Sequence, residues 1–301
     1  MRSVRVRAPG KVNLSLAVGR RQDDGYHPLA TVFQAVSLHE DVVAEDAEGW
    51  TVEVTGPQAE LVPTDGENLA LRAARALADA VGVTGGVHLR ITKSVPVAGG
   101  MAGGSADAAA ALLACDALWG TGLSRTELAE LAAGLGSDVP FALQGQTAVG
   151  RGRGHLLSPV LARGEYHWTF ALRTSGLSTA RVYGMFDDVV GAMAPEAPDV
   201  DAALLRALRA GDAEALGAAL TNDLQVAALE LAPELAETLA VAEDAGALGV
   251  VVSGSGPTVA ALAADRRHAQ LIGRALMDAG VADGVAHATG PVPGARVITE
   301  D

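Results

Sequence analysis

The chain has 301 residues, 49% of them hydrophobic and 19% charged, the composition of a folded protein with room for one large core or two medium ones. Its 22 Lys and Arg are outnumbered by 36 Asp and Glu, the formal net charge is −14, and no basic run appears, so it lacks the cationic face that nucleic acid or an anionic membrane requires. A single cysteine, Cys115, excludes an intramolecular disulfide and a thiolate metal cluster, and its alanine-rich surroundings read as those of a buried, inert thiol.

In chain order, residues 3–8 (SVRVRA) alternate apolar and polar as a half-buried strand does, and the spacing predicts a turn at Pro9-Gly10 followed by a strand over 12–18. A polar turn spans 20–27, strands are expected at 31–38, 42–45 and 50–55, and helical spacing takes over at 68–80 with Asp65 or Asn68 as cap. Strand alternation returns at 87–92. A glycine stretch over 96–105 follows, and Ser105 is expected to open a helix running to Gly120. Ser124 with Glu127 three residues later has the capping-box pattern. A loop at 134–140 and a glycine-broken segment at 145–154 lead to an expected linker at 158–164. Beyond it the pattern predicts strands at 168–172, 248–252 and 258–262, and a final one at 285–288. Helices are predicted at 201–220, 233–245 and 266–279. This order implies two α+β domains, 1–160 and 161–301. No apolar stretch approaches the ~20 residues of a membrane span, and the first residues lack the apolar core of a secretory signal, so a cytoplasmic protein is expected.

Four segments bear on chemistry. In PVAGGMAGGSADAAAALL (96–113), Gly99, Gly100, Gly103 and Gly104 let the backbone turn and a ligand approach. The free amides and dipole of the following helix then favour an anion, polyphosphate above all. No Walker lysine and no dinucleotide fingerprint is present, and close packing of helix on sheet would also use these glycines. SGSGPT (253–258) either exposes amides to an anion or simply joins two strands. APGKVNL (8–14) puts Lys11 and Asn13 on one strand face, although a lone strand lysine is commonly solvated. In GSDVP (136–140), Asp138 is either a turn former or a base.

Taken together and in this order, the lysine, glycine-loop and SGSGPT segments resemble the three signature motifs of the GHMP kinases (galactokinase, homoserine, mevalonate and phosphomevalonate kinases), and the likeness runs through nearly the whole chain. The turn Asp24-Gly25-Tyr26-His27 and the block GSDVPFAL are similar to the branch of that family whose alcohol is a methylerythritol carrying a cytidyl diphosphate; other branches commonly end the first segment in Gly-Glu-His. Two departures stand out: Met101 and Ala102 occupy positions where Leu and Gly are usual, and Ala106 replaces a second serine.

The resemblance implies a two-domain α+β fold. Its N-terminal domain is like domain 2 of ribosomal protein S5, and its C-terminal domain is ferredoxin-like. It also implies transfer of a phosphoryl group from ATP, with Mg²⁺, to the 2-hydroxyl of the methylerythritol unit. On that reading Pro96, Val97, Ala98, Gly99, Gly100, Met101, Ala102, Gly103, Gly104 and Ser105 form the ATP site, and the Ser105 hydroxyl is also offered to Mg²⁺. Asp138 takes the proton of the attacking hydroxyl, and Lys11 keeps Asp138 ionised and steadies the alkoxide. Asn13 orients the substrate hydroxyls. Tyr26 and Tyr183 stack on the base, His27 bonds its edge, Thr179 adds a polar contact, and Phe33 lines the same pocket. The expected partner is a small molecule, without nucleic acid or membrane, and the expected state a monomer or weak homodimer.

Overall fold

The computed structural model describes residues 2–97 and 99–300. The chain opens with two long antiparallel strands, β1 (Ser3–Val18) and β2 (Leu29–Ala47). The alternation at 3–8 is used as written: Val4, Val6 and Ala8 are buried on one face, while Arg5 and Arg7 reach Asp41 of β2 on the other. Pro9-Gly10 does not turn the chain, contrary to expectation. The register slips there by a bulge, an arrangement that tolerates the missing N–H of proline inside a ladder. The strands expected at 31–38 and 42–45 are likewise parts of one strand, β2.

β3 (Trp50–Thr55) is followed by α1 (Leu69–Val81), whose Asn68 cap accepts from the amides of Ala70 and Leu71, and by β4 (Gly86–Thr92). Next come α2 (Gly103–Trp119), α3 (Arg125–Leu135) with its Ser124–Glu127 capping box formed, and α4 (Val139–Gln144). The hairpin β5 (Thr147–Gly152) and β6 (Leu156–Pro159) takes up the glycine-broken segment and the start of the expected linker. With two strands from the second half, β8 (Thr221–Asn222) and β12 (Arg296–Glu300), these form one sheet in the order β12-β1-β2-β4-β3, with β5 pairing β2 and β6, and β8 running parallel beside β1.

The second half runs β7 (Tyr166–Leu172), α5 (Thr179–Val189), α6 (Ala202–Ala210), α7 (Ala213–Ala218), β8 (Thr221–Asn222), α8 (Gln225–Leu231) and α9 (Leu235–Asp244). It continues with β9 (Gly249–Val252), β10 (Val259–Ala263), α10 (Arg266–Asp278), β11 (Gly284–Gly290) and β12 (Arg296–Glu300). β11-β7-β10-β9 make a second, antiparallel sheet. The single helix expected over 201–220 is broken at Gly211, left-handed at φ 73°, after which the Asp212 side chain caps α7. The strand at 285–288 is not the final one. β12 follows it and returns to the edge of the first sheet, pairing with β1.

α2 lies across the first sheet with Ala106, Ala108, Ala109, Ala110, Ala111, Ala114 and Cys115 all buried; side chains this small let helix and strands approach closely. A second core joins the sheets: Val12, Leu14, Val32 and Val36 of β1 and β2 pack with Trp168, Phe170 and Leu262 of β7 and β10. No described helix is long and apolar enough to cross a membrane.

Candidate active site

The glycine loop is held between the two sheets. Gly10 sits so close beneath it that a Cβ there would lie 3.1 Å from both Val95 Cγ atoms and 3.3 Å from the Met101 carbonyl oxygen. The Lys11 amide donates to that same carbonyl at 3.1 Å. Ala102, at φ 60°, caps α2, so the helix begins at Gly103, two residues before the expected Ser105. The left-handed Ala102 turns the chain into the helix and leaves Gly103 and Gly104 already in it.

Below this first turn lies an ion cluster that sequence reasoning passed over. Lys93 Nζ is 2.6 Å from Glu40 Oε1 and 2.6 Å from Asp107 Oδ2, with all three side chains buried. Glu40 also accepts from the Ser94 amide at 2.9 Å. Burial, reinforced by the charge of Asp107, outweighs Lys93 and pushes the Glu40 carboxyl upward from its ordinary value.

Lys11 points from β1 into the cleft and is buried. Its ammonium donates to Asn13 Oδ1 at 2.6 Å and to the Gly100 carbonyl at 2.5 Å. Asn13 Nδ2 in turn donates to Thr31 Oγ1 at 2.8 Å, and Thr31 to the Ser15 carbonyl at 2.7 Å, a relay that fixes the amide with its oxygen toward Lys11. Burial lowers the Lys11 pKa, and the charge of Asp138 acts against that fall. Asp138 is in the residue position before α4 where a cap is usual, yet its side chain makes no capping bond, while Pro140 fixes the first turn behind it. Its carboxylate is therefore left to the cleft.

At the other end, His27 Nδ1 donates to the Gly19 carbonyl at 2.8 Å, leaving Nε2 facing Asp187 Oδ1 at 3.4 Å. The imidazole lies 5.1 Å, centroid to centroid, from Tyr183, which is one helical turn before Asp187 on α5. Burial pushes the Tyr183 hydroxyl well above its ordinary pKa, with Asp138 adding to the effect. Tyr26 is 53% exposed, with the Arg153 guanidinium 3.4 Å above its ring. Thr179 Oγ1 is 3.0 Å from Ser255 Oγ.

One cleft of about 1400 Å³ brings Lys11, Asn13, Tyr26, His27, Phe33, Asp138, Thr179 and Tyr183 together with Pro96, Gly99, Gly100, Ala102, Gly103, Gly104 and Ser105. Phe33 lies largely buried in its floor against Phe141, at 4.9 Å between ring centroids. Two members of the predicted loop do not line the cleft itself: Val97, whose amide is taken by Gln58 Oε1 at 2.9 Å, lines a smaller adjoining cavity, and the Met101 side chain is sunk in the core between the sheets. Ala98 lies outside the described residues. The cleft also contains Gly254 and Ser255 of the SGSGPT segment, and Arg21, Arg153 and Asp187, which were not singled out in the sequence. The presence of Arg21 next to the DGYH turn and of Asp187 four residues after Tyr183 are the signals that would have found two of them. Among the described residues no group of three or more His, Cys, Asp or Glu is arranged to hold a metal ion.

Residues 68–146 match the family model of the GHMP kinases N terminal domain, and residues 204–282 that of the GHMP kinases C terminal. The chain is 54% identical to the 4-diphosphocytidyl-2-C-methyl-D-erythritol kinase of Leifsonia xyli subsp. xyli over 100% of both chains. It is 54% identical to that of Clavibacter michiganensis subsp. michiganensis over 98% of this chain and 96% of the relative. The solved structure of a 4-(cytidine 5'-diphospho)-2C-methyl-D-erythritol kinase superposes with a TM-score of 0.76 at 35% identity, over 95% of this chain and 98% of that one. With its cleft framed by the three motif segments and both halves matched, the chain belongs to the GHMP kinase family.

Proposed function

We propose that this chain transfers the γ-phosphoryl group of ATP to the 2-hydroxyl of 4-diphosphocytidyl-2-C-methyl-D-erythritol, yielding the 2-phosphate and ADP. The observation that carries the reading is the make-up of the one cleft. A helix-start phosphate cradle, a buried lysine that feels the charge of an uncapped aspartate, and a Tyr–His–Tyr group lie in it together. Phosphoryl transfer asks mainly for positioning and charge stabilisation. The amides of Gly103, Gly104 and Ser105 at the start of α2 face the phosphates. As the substrate oxygen bonds to the γ-phosphorus and the bond to the ADP oxygen breaks, Asp138 accepts the hydroxyl proton. Lys11 favours the ionised form of Asp138 and offers its charge to the alkoxide, while Asn13 orients the substrate. Tyr26 and Tyr183 flank the cytosine ring and His27 meets its edge. A second cavity of about 280 Å³ shares Pro96, Gly103 and Gly104 with the cleft and has apolar walls from Leu61, Val62 and Leu69, which suit the adenosine of ATP.

Mg²⁺ would arrive with ATP, neutralising phosphate charge, with the Ser105 hydroxyl as its protein donor. We read the enzyme as a monomer or weak homodimer of the cytoplasm. We divide the domains between residues 160 and 161, with β8 and β12 crossing back to the first sheet. A coupled ADP-release assay with Mg-ATP tests the substrate. Turnover of the cytidyl alcohol, without turnover of homoserine, mevalonate or galactose, is expected; turnover of one of the others in its place overturns the assignment.

A further inference from the structure

The mechanism leaves two cations of the cleft without a task. Among the residues that line it, the Lys and Arg side chains are Lys11, Arg21 and Arg153. Lys11 is committed to Asn13, Gly100 and the charge of Asp138. The proposed substrate adds a diphosphate to a cleft that holds Asp138 and Asp187 and also receives ATP, in a protein of net charge −14. That charge needs a counter-charge.

The two guanidinium groups flank the 24–27 turn, which carries Tyr26 and His27. Arg21 comes from the β1–β2 loop; its Nε donates to the Gly25 carbonyl at 3.1 Å, and its Nη1 stands 3.8 Å from Asp187 Oδ2. Arg153 comes from the β5–β6 hairpin, covers the Tyr26 ring and touches Asp24 Oδ2 at 3.2 Å. The Arg21–Asp187 pairing is long, and the two side chains are 60% and 49% exposed, so most of their donors are free to bind a ligand. Asp24 can give up Arg153 without being stranded, because its other oxygen accepts from the Tyr26 amide at 3.0 Å. A planar guanidinium matches phosphate oxygens two at a time.

We propose that Arg21 and Arg153 bind the diphosphate of the cytidyl substrate and set the preference for a diphosphate-linked cytidine over cytidine itself. This rests on the substrate reading above. The Arg153 guanidinium then occupies one face of the Tyr26 ring, leaving the opposite face for the base and its own free donors for the phosphates.

The test is calorimetric binding of cytidine, CMP and CDP to the wild-type enzyme and to Arg21→Met, Arg153→Met and the double variant, with KM for ATP measured on each. Substitution at these exposed positions leaves the fold intact, which an unchanged KM for ATP verifies. CDP affinity and KM for the cytidyl substrate are expected to worsen about tenfold per arginine removed. Cytidine affinity should stay within about twofold, and the salt dependence of CDP binding should shrink. CDP affinity unchanged in the double variant, or CDP and cytidine weakening together, overturns the proposal while leaving the substrate intact. A wild-type enzyme that binds neither cytidine nor CDP overturns the substrate reading and this assignment with it.

Discussion

Gly100 and Ser253 are 153 residues apart in the chain and touch in the fold: the Ser253 hydroxyl donates to the Gly100 carbonyl at 3.3 Å, and a Cβ on Gly100 would overlap the Ser253 carbonyl oxygen. The SGSGPT turn is thus a brace for the phosphate loop. Asn222 holds the brace, its Nδ2 donating to the carbonyls of Val252 and Gly254 at 2.8 and 2.7 Å, and β8 ties Asn222 to β1, the strand of Lys11.

Gly100 has φ 72°, a conformation that disfavours a side chain on its own account. Gly100→Ala is expected to lower stability by about 1–3 kcal/mol or more and to weaken ATP binding at least about tenfold. Thermal unfolding with and without ATP measures both effects, and a normal response to ATP would contradict the brace.

Asp138→Asn keeps the size of the side chain and removes its capacity to take a proton. A fall in kcat of about 10²–10⁴ is expected, with ATP affinity unchanged because the phosphate loop does not involve Asp138. Single-turnover rates together with nucleotide binding separate the two quantities.

Lys93→Met leaves Glu40 and Asp107 facing each other in the core without a counter-charge. Breaking such a buried cluster from one side costs about 3–5 kcal/mol, read as a lower denaturant midpoint. Asp107→Asn in the Lys93→Met background should recover part of the loss, since it removes one of the stranded charges.

Asp41 is held down to about 2, first by its hydrogen bond to Arg7 and then by Arg5, against the 3.8 of a free carboxyl. The folded state therefore binds this proton less readily than the unfolded chain does. The stabilisation is fully present above pH 3.8 and is lost as the pH falls toward 2. With both arginines partly exposed it is worth about 1–2 kcal/mol. Unfolding midpoints measured from pH 5 to pH 2 should fall less steeply in Asp41→Asn than in the wild type.

Cys115 is fully buried on α2, and burial pushes its thiol far above the ordinary range. A disulfide reagent at neutral pH is expected to leave the native enzyme unlabelled and to label one thiol per chain in denaturant. Rapid labelling of the folded enzyme would show that α2 opens.

What could be read from the sequence was local. Asn68, and Ser124 with Glu127, announced their helices because a cap is a contact within four residues. Lys11, the glycine loop and Asp138 were visible as residue types in a recurring order. Pro9-Gly10 misled because a bulge and a turn share the same composition, and only the pairing partner decides between them. α5 and α8 were missed: α5 opens with Ser178, which makes no side-chain cap, and α8 is seven residues long. Arg21 could have been found from its place beside the DGYH turn, whereas Arg153 was not singled out, since nothing in one dimension shows that the β5–β6 hairpin folds over Tyr26. The Lys93 cluster was hidden for the same reason, with Glu40 and Asp107 coming from β2 and α2.

The pairing of Arg296–Glu300 with β1 has a consequence for how the protein is made. A ribosome releases β1 first and its outer neighbour some 290 residues later. Throughout synthesis Val4 and Val6 therefore stand on a strand whose far edge is open to any passing partner. Arg5 and Arg7 of the same strand, ion-paired to Asp41 of β2, put charged side chains on one face of the sheet beside that edge. Only when β12 arrives is that edge of β1 covered.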